Sequence, residues 1–173
     1  MDAYAASLDV VGYNYAPQKY TTDHARLPSR VIVSTESFPL QSFEYWDGVW
    51  ENEWVIGDFI WTAIDYIGES AIGGNGYNTP DLRACTGYCP QGWSWHISFC
   101  GDIDVVGLQK PQSLYRQVLW NNSDLQVSVH APIAAGQHEA IASWGWPDER
   151  PTWTWNNVKA GHNMSVNVYV SML

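Results

Sequence analysis

An α/β unit built on a parallel sheet, followed by a short all-β unit, is the fold class that the sequence predicts. Three observations predict it. Residues 8–15 (LDVVGYNY), 30–36 (RVIVSTE) and 55–65 (VIGDFIWTAID) are apolar runs that end in polar residues. Strands apolar on both faces belong to buried parallel sheets. Between the second and third runs, LQSFEYWDGVWENEW repeats apolar residues at Leu40, Phe43, Trp46, Trp50 and Trp54, the spacing of one helical stripe. After Asn121-Asn122-Ser123 the period changes to two.

Strand, helix, strand in that order makes a βαβ unit. The connection over 66–101 follows, with seven glycines and little periodicity. A loop of that length inside a domain is usually functional. KPQSLYRQVLW then places Pro111 at a helix start, with Leu114, Val118 and Leu119 on one side. In the tail, LQVSVHA turns Leu125, Val127 and Val129 inward, and TWTW (152–155) and MSVNVYV (164–170) alternate likewise. Short alternating strands between turn signals predict a β-sandwich. The boundary falls near 121–124, which leaves about 50 residues against the ~100 of a full immunoglobulin-like domain.

Composition narrows the function. The 173 residues suffice for a buried core, and 46% of them are hydrophobic, so the chain is not a disordered one. A net charge of -10 argues against a nucleic-acid partner. No apolar run is long enough to span a bilayer. Eleven tryptophans are unusual. Each is first a bulky core residue, but an indole face also stacks on sugar C–H faces. Cys85, Cys89 and Cys100 are loop cysteines with room for one bridge, and their spacing with His96 does not make a zinc site. No metal motif is present and no cofactor is expected. His24, His130, His138 and His162 show no partner spacing. Asn121-x-Ser123 and Asn163-x-Ser165 match glycosylation acceptors, which are common by chance. The compartment stays open, periplasm and secretion both being compatible.

In parallel α/β folds, reactive groups sit at the carboxyl ends of strands. Here those ends carry Asn14 and Tyr15, then Glu36, then Trp61 and Asp65. A carboxylate, a phenol and an indole on one edge suit a sugar: attack, orientation and a floor for the ring. Two structural alternatives stand beside this. Glu36 could cap the following helix, and Tyr15 could be a satisfied core tyrosine. Asp58 is expected to be a structural hydrogen-bonding group, and Glu44, Glu51 and Glu53 a solvated face.

These stretches resemble glycoside hydrolase family 2, the β-galactosidase family. LDVVGYNY, VIVSTES, GDFIWTAIDYIGES and GDIDVVGLQKPQSLYRQVLW look like the last three strands and last helix of its catalytic barrel. The tail with SWGWPDERPTWTW resembles the sandwich that follows. The resemblance covers nearly the whole chain and keeps the family's motif order. It implies a partial (β/α)8 TIM barrel, strands 6–8, over residues 1–121. A partial immunoglobulin-like β-sandwich would then occupy 122–173. It implies a retaining glycosidase with Glu36 as nucleophile, Tyr15 hydrogen-bonded to it and Trp61 stacked on the sugar. Asp65 and Glu69 in DYIGE would reach sugar hydroxyls, with Asn14 also at the substrate. Trp95 and His96, with Trp93, would line the pocket.

Retaining hydrolysis needs a second carboxyl about 5–5.5 Å from the first. By resemblance that is a glutamate after an asparagine at the end of strand four. Asn52-Glu53, the one Asn-Glu pair, follows the nucleophile on the helix side and cannot take the role. The chain therefore reads as an internal fragment, inactive by itself, with an accidental start at Met1. Its barrel portion would have an open edge that invites pairing with the remainder of the parent chain or a second copy. Terminal β-galactosides are the expected substrate. The family's glucuronidases use an Asn-x-Lys segment before the last helix that is not found there, only Lys110 followed by Pro111. A β-mannosidase is a further alternative. So is a carbohydrate-binding module without catalysis, using Trp144, Trp146, Trp153 and Trp155.

Overall fold

In the computed structural model, which describes residues 2–77, 96–156 and 158–171, three parallel strands carry the beginning of the chain. They are β1 (Val10–Asn14), β2 (Val31–Ser37) and β3 (Val55–Ile60), paired in that order. A short α1 (Asp2–Ala5) precedes them, α2 (Tyr20–Arg26) connects β1 to β2, and α3 (Ser42–Glu51) connects β2 to β3. The βαβ order is the expected one. The third strand stops at Ile60, five residues before the apolar run ends. The chain divides at this point into two units, Met1–Thr62 and Ala63–Leu173. The boundary read near 121–124 lies inside the second of them.

In the first unit, Tyr13, Tyr20, Ile32 and Val55 form a buried cluster against Val11, Ala16, Val49 and Trp54. Each such side chain contributes about 1.5–3 kcal/mol by leaving water. Two expectations are corrected here. The strands are not buried on both faces, since Val10, Ile56 and Phe59 remain exposed. Nor does the whole Leu40/Phe43/Trp46/Trp50/Trp54 stripe face the sheet: Trp54 packs on the cluster and Trp46 is half-buried. Leu40, Phe43 and Trp50 are exposed, Trp50 by 70%. The inner side of α3 is Ser42 and Tyr45 instead, with Gly48 and Val49 half-buried behind them. Gly48 lets the helix approach on that side: a Cβ on it would meet the Tyr20 ring at 3.3 Å. At the amino ends of the strands, Asp2 takes hydrogen bonds from Arg26 and Arg30. Arg30 also donates to Tyr13, whose hydroxyl donates to Asp23.

The second unit holds β4 (Gly76–Tyr77), α4 (Pro111–Leu119), β5 (Leu125–His130), β6 (Glu139–Ala140), β7 (Glu149–Arg150) and β8 (Val166–Val170). β4 pairs antiparallel with β6, and β7-β5-β8 form an antiparallel sheet. Pro111 opens α4 as expected. Its buried side, however, is Gln112, Ser113, Arg116 and Val118, while Leu114 and Leu119 are half-buried. Arg116 is tolerated there because its Nε donates to Asp102 Oδ2 at 2.7 Å.

The period-two reading of the tail holds, but its sides are exchanged. β5 and β8 align Leu125 with Val170, Val127 with Val168 and Val129 with Val166. Of this apolar ladder only Val129 is buried; Val168 is 55% exposed. The shielded side is polar. Buried Glu149 takes hydrogen bonds from Ser128 at 2.6 Å, Trp146 Nε1 at 3.2 Å, Tyr169 and Asn167. A carboxylate satisfied by four side-chain donors can be buried where an unpaired one cannot. TWTW is not a strand. The ladder ends at Arg150 before Pro151, and the Thr154 amide donates to Thr152 Oγ1 at 3.2 Å in place of a neighbouring strand.

Candidate active site

β1, β2 and β3 run parallel, so their carboxyl ends share one edge, and four of the expected site residues belong to it. Asn14 ends β1 and Tyr15 follows it. Glu36 is the penultimate residue of β2, and Trp61 follows β3. The edge is stitched by backbone hydrogen bonds. The Tyr15 amide donates to the Glu36 carbonyl and the Trp61 amide to the Ser37 carbonyl, each at 3.1 Å. The Asn14 amide Nδ2 donates to Glu36 Oε2 at 3.4 Å. Glu36 is half-buried, so its carboxylate keeps access to solvent.

Two neighbours steady this edge. Thr35 Oγ1 donates to Asn14 Oδ1 at 3.0 Å. Ser37 is fully buried and donates to Asp58 Oδ2 at 3.0 Å, the structural role expected of Asp58. The Tyr15 ring stacks on Phe38 with centroids 4.2 Å apart. Tyr15 has φ of 50°, a left-handed conformation that turns the chain as it leaves β1. Glu36 does not cap the helix after it. Phe38 and Gln41 occupy the two N-cap positions, and neither makes a side-chain cap hydrogen bond.

Asn52 and Glu53 precede β3 and so lie at the opposite, amino end of the sheet. The Asn52 side chain donates to the Gly48 carbonyl at 2.8 Å, at the end of α3. Six strand residues separate that point from Trp61, roughly 20 Å of extended chain.

Asp65, Glu69 and His96 belong to the second unit. Asp65 is the residue expected on a sugar hydroxyl. Its side chain is 2% exposed, and its Oδ1 accepts from Lys110 Nζ at 2.8 Å and the Gly101 amide at 2.7 Å. Lys110 also donates to the Phe99 carbonyl at 2.7 Å. A carboxylate shielded to this degree and held by a lysine fastens the loop around Gly101. Gly101 permits that approach, since a Cβ there would fall 2.2 Å from the Asp65 nitrogen. Glu69 is exposed and accepts the Tyr66 hydroxyl. His96 is exposed. Trp93, Trp95, Cys85 and Cys89 lie outside the described residues. Cys100 is a free, buried thiol, pushed up to about 11 by that burial.

Sequence reasoning missed Thr35 and Lys110. Lys110 and Asp65 are 45 residues apart, and no local pattern joins them. Thr35 had one signal: it is a hydroxyl residue directly before Glu36. Among the described residues, no group of His, Cys, Asp and Glu is placed to hold a metal ion, and no helix is long and apolar enough to cross a membrane.

No family model matches the chain. A β-galactosidase of Bacteroides ovatus is 22% identical over 162 residues, covering 68% of this chain and 17% of that protein. Two solved structures of glycosyl hydrolase family 2 members from Bacteroides cellulosilyticus are similar over almost the whole chain. One is 36% identical with a TM-score of 0.80, covering 97% of this chain and 21% of the other. The second is 33% identical with a TM-score of 0.71, covering 98% and 18%. The chain thus spans about a fifth of the length of the relatives it matches.

Proposed function

Because the chain belongs to glycoside hydrolase family 2 over the segment it matches, we propose that it carries the nucleophile edge of a retaining exo-acting β-galactosidase. One observation carries this reading: Glu36, Asn14, Tyr15 and Trp61 converge on the carboxyl edge of three successive parallel strands, with an amide already donating to the carboxylate. In this reading the three strands are strands 6–8 of a (β/α)8 barrel, and β5, β7 and β8 belong to the sandwich after it.

The chemistry follows from two-step displacement. A Glu36 carboxylate oxygen attacks the anomeric carbon as the bond from that carbon to the leaving oxygen breaks. The leaving oxygen takes a proton from a second carboxyl. The sugar is then an ester of Glu36. Water loses a proton to the second carboxyl and attacks the same carbon, which frees Glu36 and retains configuration. The Trp61 indole forms the floor of the sugar site, and Tyr15 and Asn14 orient the carboxylate. The second carboxyl is not assigned to this unit. Asp2 and Asp23 are taken by arginines at the amino ends, Asp58 accepts from Ser37, and Glu53 precedes β3. By the resemblance to the family, the second carboxyl is supplied by another part of the complete enzyme, and on that reading the segment alone is inactive.

The galactoside preference is supported by the named activity of the Bacteroides ovatus relative. The binding-module alternative is less favoured. Trp146 is turned into the unit, against Tyr115 and Tyr169 and hydrogen-bonded to Glu149, so Trp144, Trp146, Trp153 and Trp155 do not present one platform. Replacing Glu36 by Gln in the complete enzyme tests the reading. Turnover of a nitrophenyl β-galactoside should fall by roughly 10³-fold or more with sugar binding kept. Unchanged turnover removes Glu36 from the mechanism, and a stronger rate on the glucuronide or mannoside overturns the substrate.

A further inference from the structure

We propose that Thr35 is a positioning residue for the Glu36 carboxylate, acting through Asn14 from a β-bulge, with its methyl seated against Gly12. The proposal rests on the reading of Glu36 as nucleophile. The register shows the bulge. Tyr13 pairs with Ser34 and Asn14 with Glu36, so Thr35 is an extra residue on β2. A bulge beside a reactive group re-aims the side chain next to it.

The backbone on the far side of the bulge is pinned. The Glu36 carbonyl accepts the Tyr15 amide at 3.1 Å and the Ser34 hydroxyl at 3.3 Å. What remains adjustable is the Asn14 side chain. An amide has one acceptor end and one donor end. Thr35 Oγ1 donates to the acceptor end at 3.0 Å, which leaves the donor end facing Glu36 Oε2 at 3.4 Å. Without the hydroxyl, the Asn14 oxygen loses the bond that anchors the side chain, and the amide can rotate away from Glu36. A turned amide would set its oxygen against the carboxylate, acceptor to acceptor.

Gly12 explains how Thr35 reaches Asn14. A Cβ at position 12 would lie 2.5 Å from Thr35 Cγ2 but 3.7 Å from Thr35 Cβ and Oγ1. The methyl therefore rests on the bare backbone of β1, and the hydroxyl is left beside Asn14, two residues along. The glycine serves close approach here.

The test is the rate at which a 2-deoxy-2-fluoro-β-galactosyl fluoride labels the complete enzyme, with the labelled peptide identified by mass spectrometry. This reads the first chemical step at Glu36 directly. Thr35→Val should label about tenfold more slowly, with kcat lowered and KM within about twofold, the scale of one neutral hydrogen bond. Thr35→Ser keeps the hydroxyl and should label at the parent rate. Gly12→Ala should behave like Thr35→Val. Adding Thr35→Ser to it removes the clashing methyl and should restore the rate. Melting temperatures of all variants separate these effects from loss of fold. Thr35→Val labelling at the parent rate, or Gly12→Ala that Thr35→Ser does not rescue, overturns the proposal. A parent enzyme labelled elsewhere than Glu36 overturns the underlying reading, which is a different result.

Discussion

Asn14 and Glu36 stand opposite one another in register across β1 and β2, joined by an amide-to-carboxylate hydrogen bond of 3.4 Å. The bond is long, and Asn14 is open to solvent, so it adds little to folding stability. On the proposed reading of Glu36 as nucleophile, its value lies in direction. A fixed dipole beside a nucleophilic carboxylate costs no reorganisation when charge moves during attack.

Asn14→Ala should accordingly lower kcat of the complete enzyme by roughly tenfold to hundredfold and leave thermal stability nearly unchanged. Asn14→Asp should be worse, because it sets a second negative charge against Glu36. Steady-state kinetics on an aryl β-galactoside, beside a melting curve, measure both. Wild-type kcat in Asn14→Ala would show that the amide has no part in catalysis.

The edge that carries Glu36 was legible in the sequence because parallel strands bring their carboxyl ends to one side. Two apolar runs with polar tips sufficed to place Asn14, Tyr15 and Glu36; the third was read to Asp65, whereas β3 stops at Ile60 and it is Trp61 that follows it. Sidedness was less legible. The α3 stripe and the β5 ladder were both read as apolar side inward, yet Phe43, Trp50 and Val168 are exposed while Tyr45, Ser128 and Glu149 are buried. Periodicity reports that two faces differ; it does not report which one meets the neighbouring layer. Satisfied polar groups such as Glu149 can take the inner face, and their partners are distant in sequence. The same holds for Asp65, whose tie to Lys110 no spacing announces.

Arg116 and Asp102 form a buried ion pair at the heart of the second unit, with the arginine side chain 2% exposed. Arg116→Ala should cost about 3–5 kcal/mol, because the carboxylate left behind is buried without its countercharge. Replacing both partners, Arg116→Met with Asp102→Leu, should recover most of that loss. Urea unfolding followed by tryptophan fluorescence gives both numbers. A double variant no better than the single one would show that packing, not charge, sets the cost.

Gly101→Ala tests the backbone crossing under Asp65. The added Cβ would sit 2.2 Å from the Asp65 nitrogen, 2.4 Å from the Ile64 carbonyl carbon and 2.7 Å from the Ile103 oxygen. All three are backbone atoms, so no side chain can turn aside. The loop must move, and the bonds from Gly101 to Asp65 and from Gln112 to the Gly101 carbonyl go with it. Destabilisation of about 3 kcal/mol or more is expected. Gly107→Ala is the control for glycine loss alone: it has open space but φ of 91°, and should cost about 1 kcal/mol.

His130 should make the stability of the second unit depend on pH. Its Nδ1 faces the Ala131 carbonyl at 2.7 Å and its Nε2 faces Glu139 Oε2 at 2.8 Å. Both neighbours are acceptors, and a neutral imidazole has one N–H, so only the imidazolium satisfies both. Burial opposes the charge, but the Glu139 carboxylate, the Ala131 carbonyl and Asp148 outweigh it, and the group is held above its ordinary value. A base whose proton is bound more tightly in the folded state stabilises fully below its unfolded pKa, near 6.5. That contribution is lost as pH rises through the folded value. Urea midpoints taken between about pH 6 and about pH 9 should therefore fall more steeply in the parent than in His130→Gln. Glu139 also accepts from Asn75 and from the Asp148 amide, so the loss should loosen the β4–β6 pair first. Hydrogen exchange at Tyr77 and Ala140 would report it. Equal slopes in parent and variant would mean that the ring is neutral in the fold and that one of its two contacts is not a hydrogen bond.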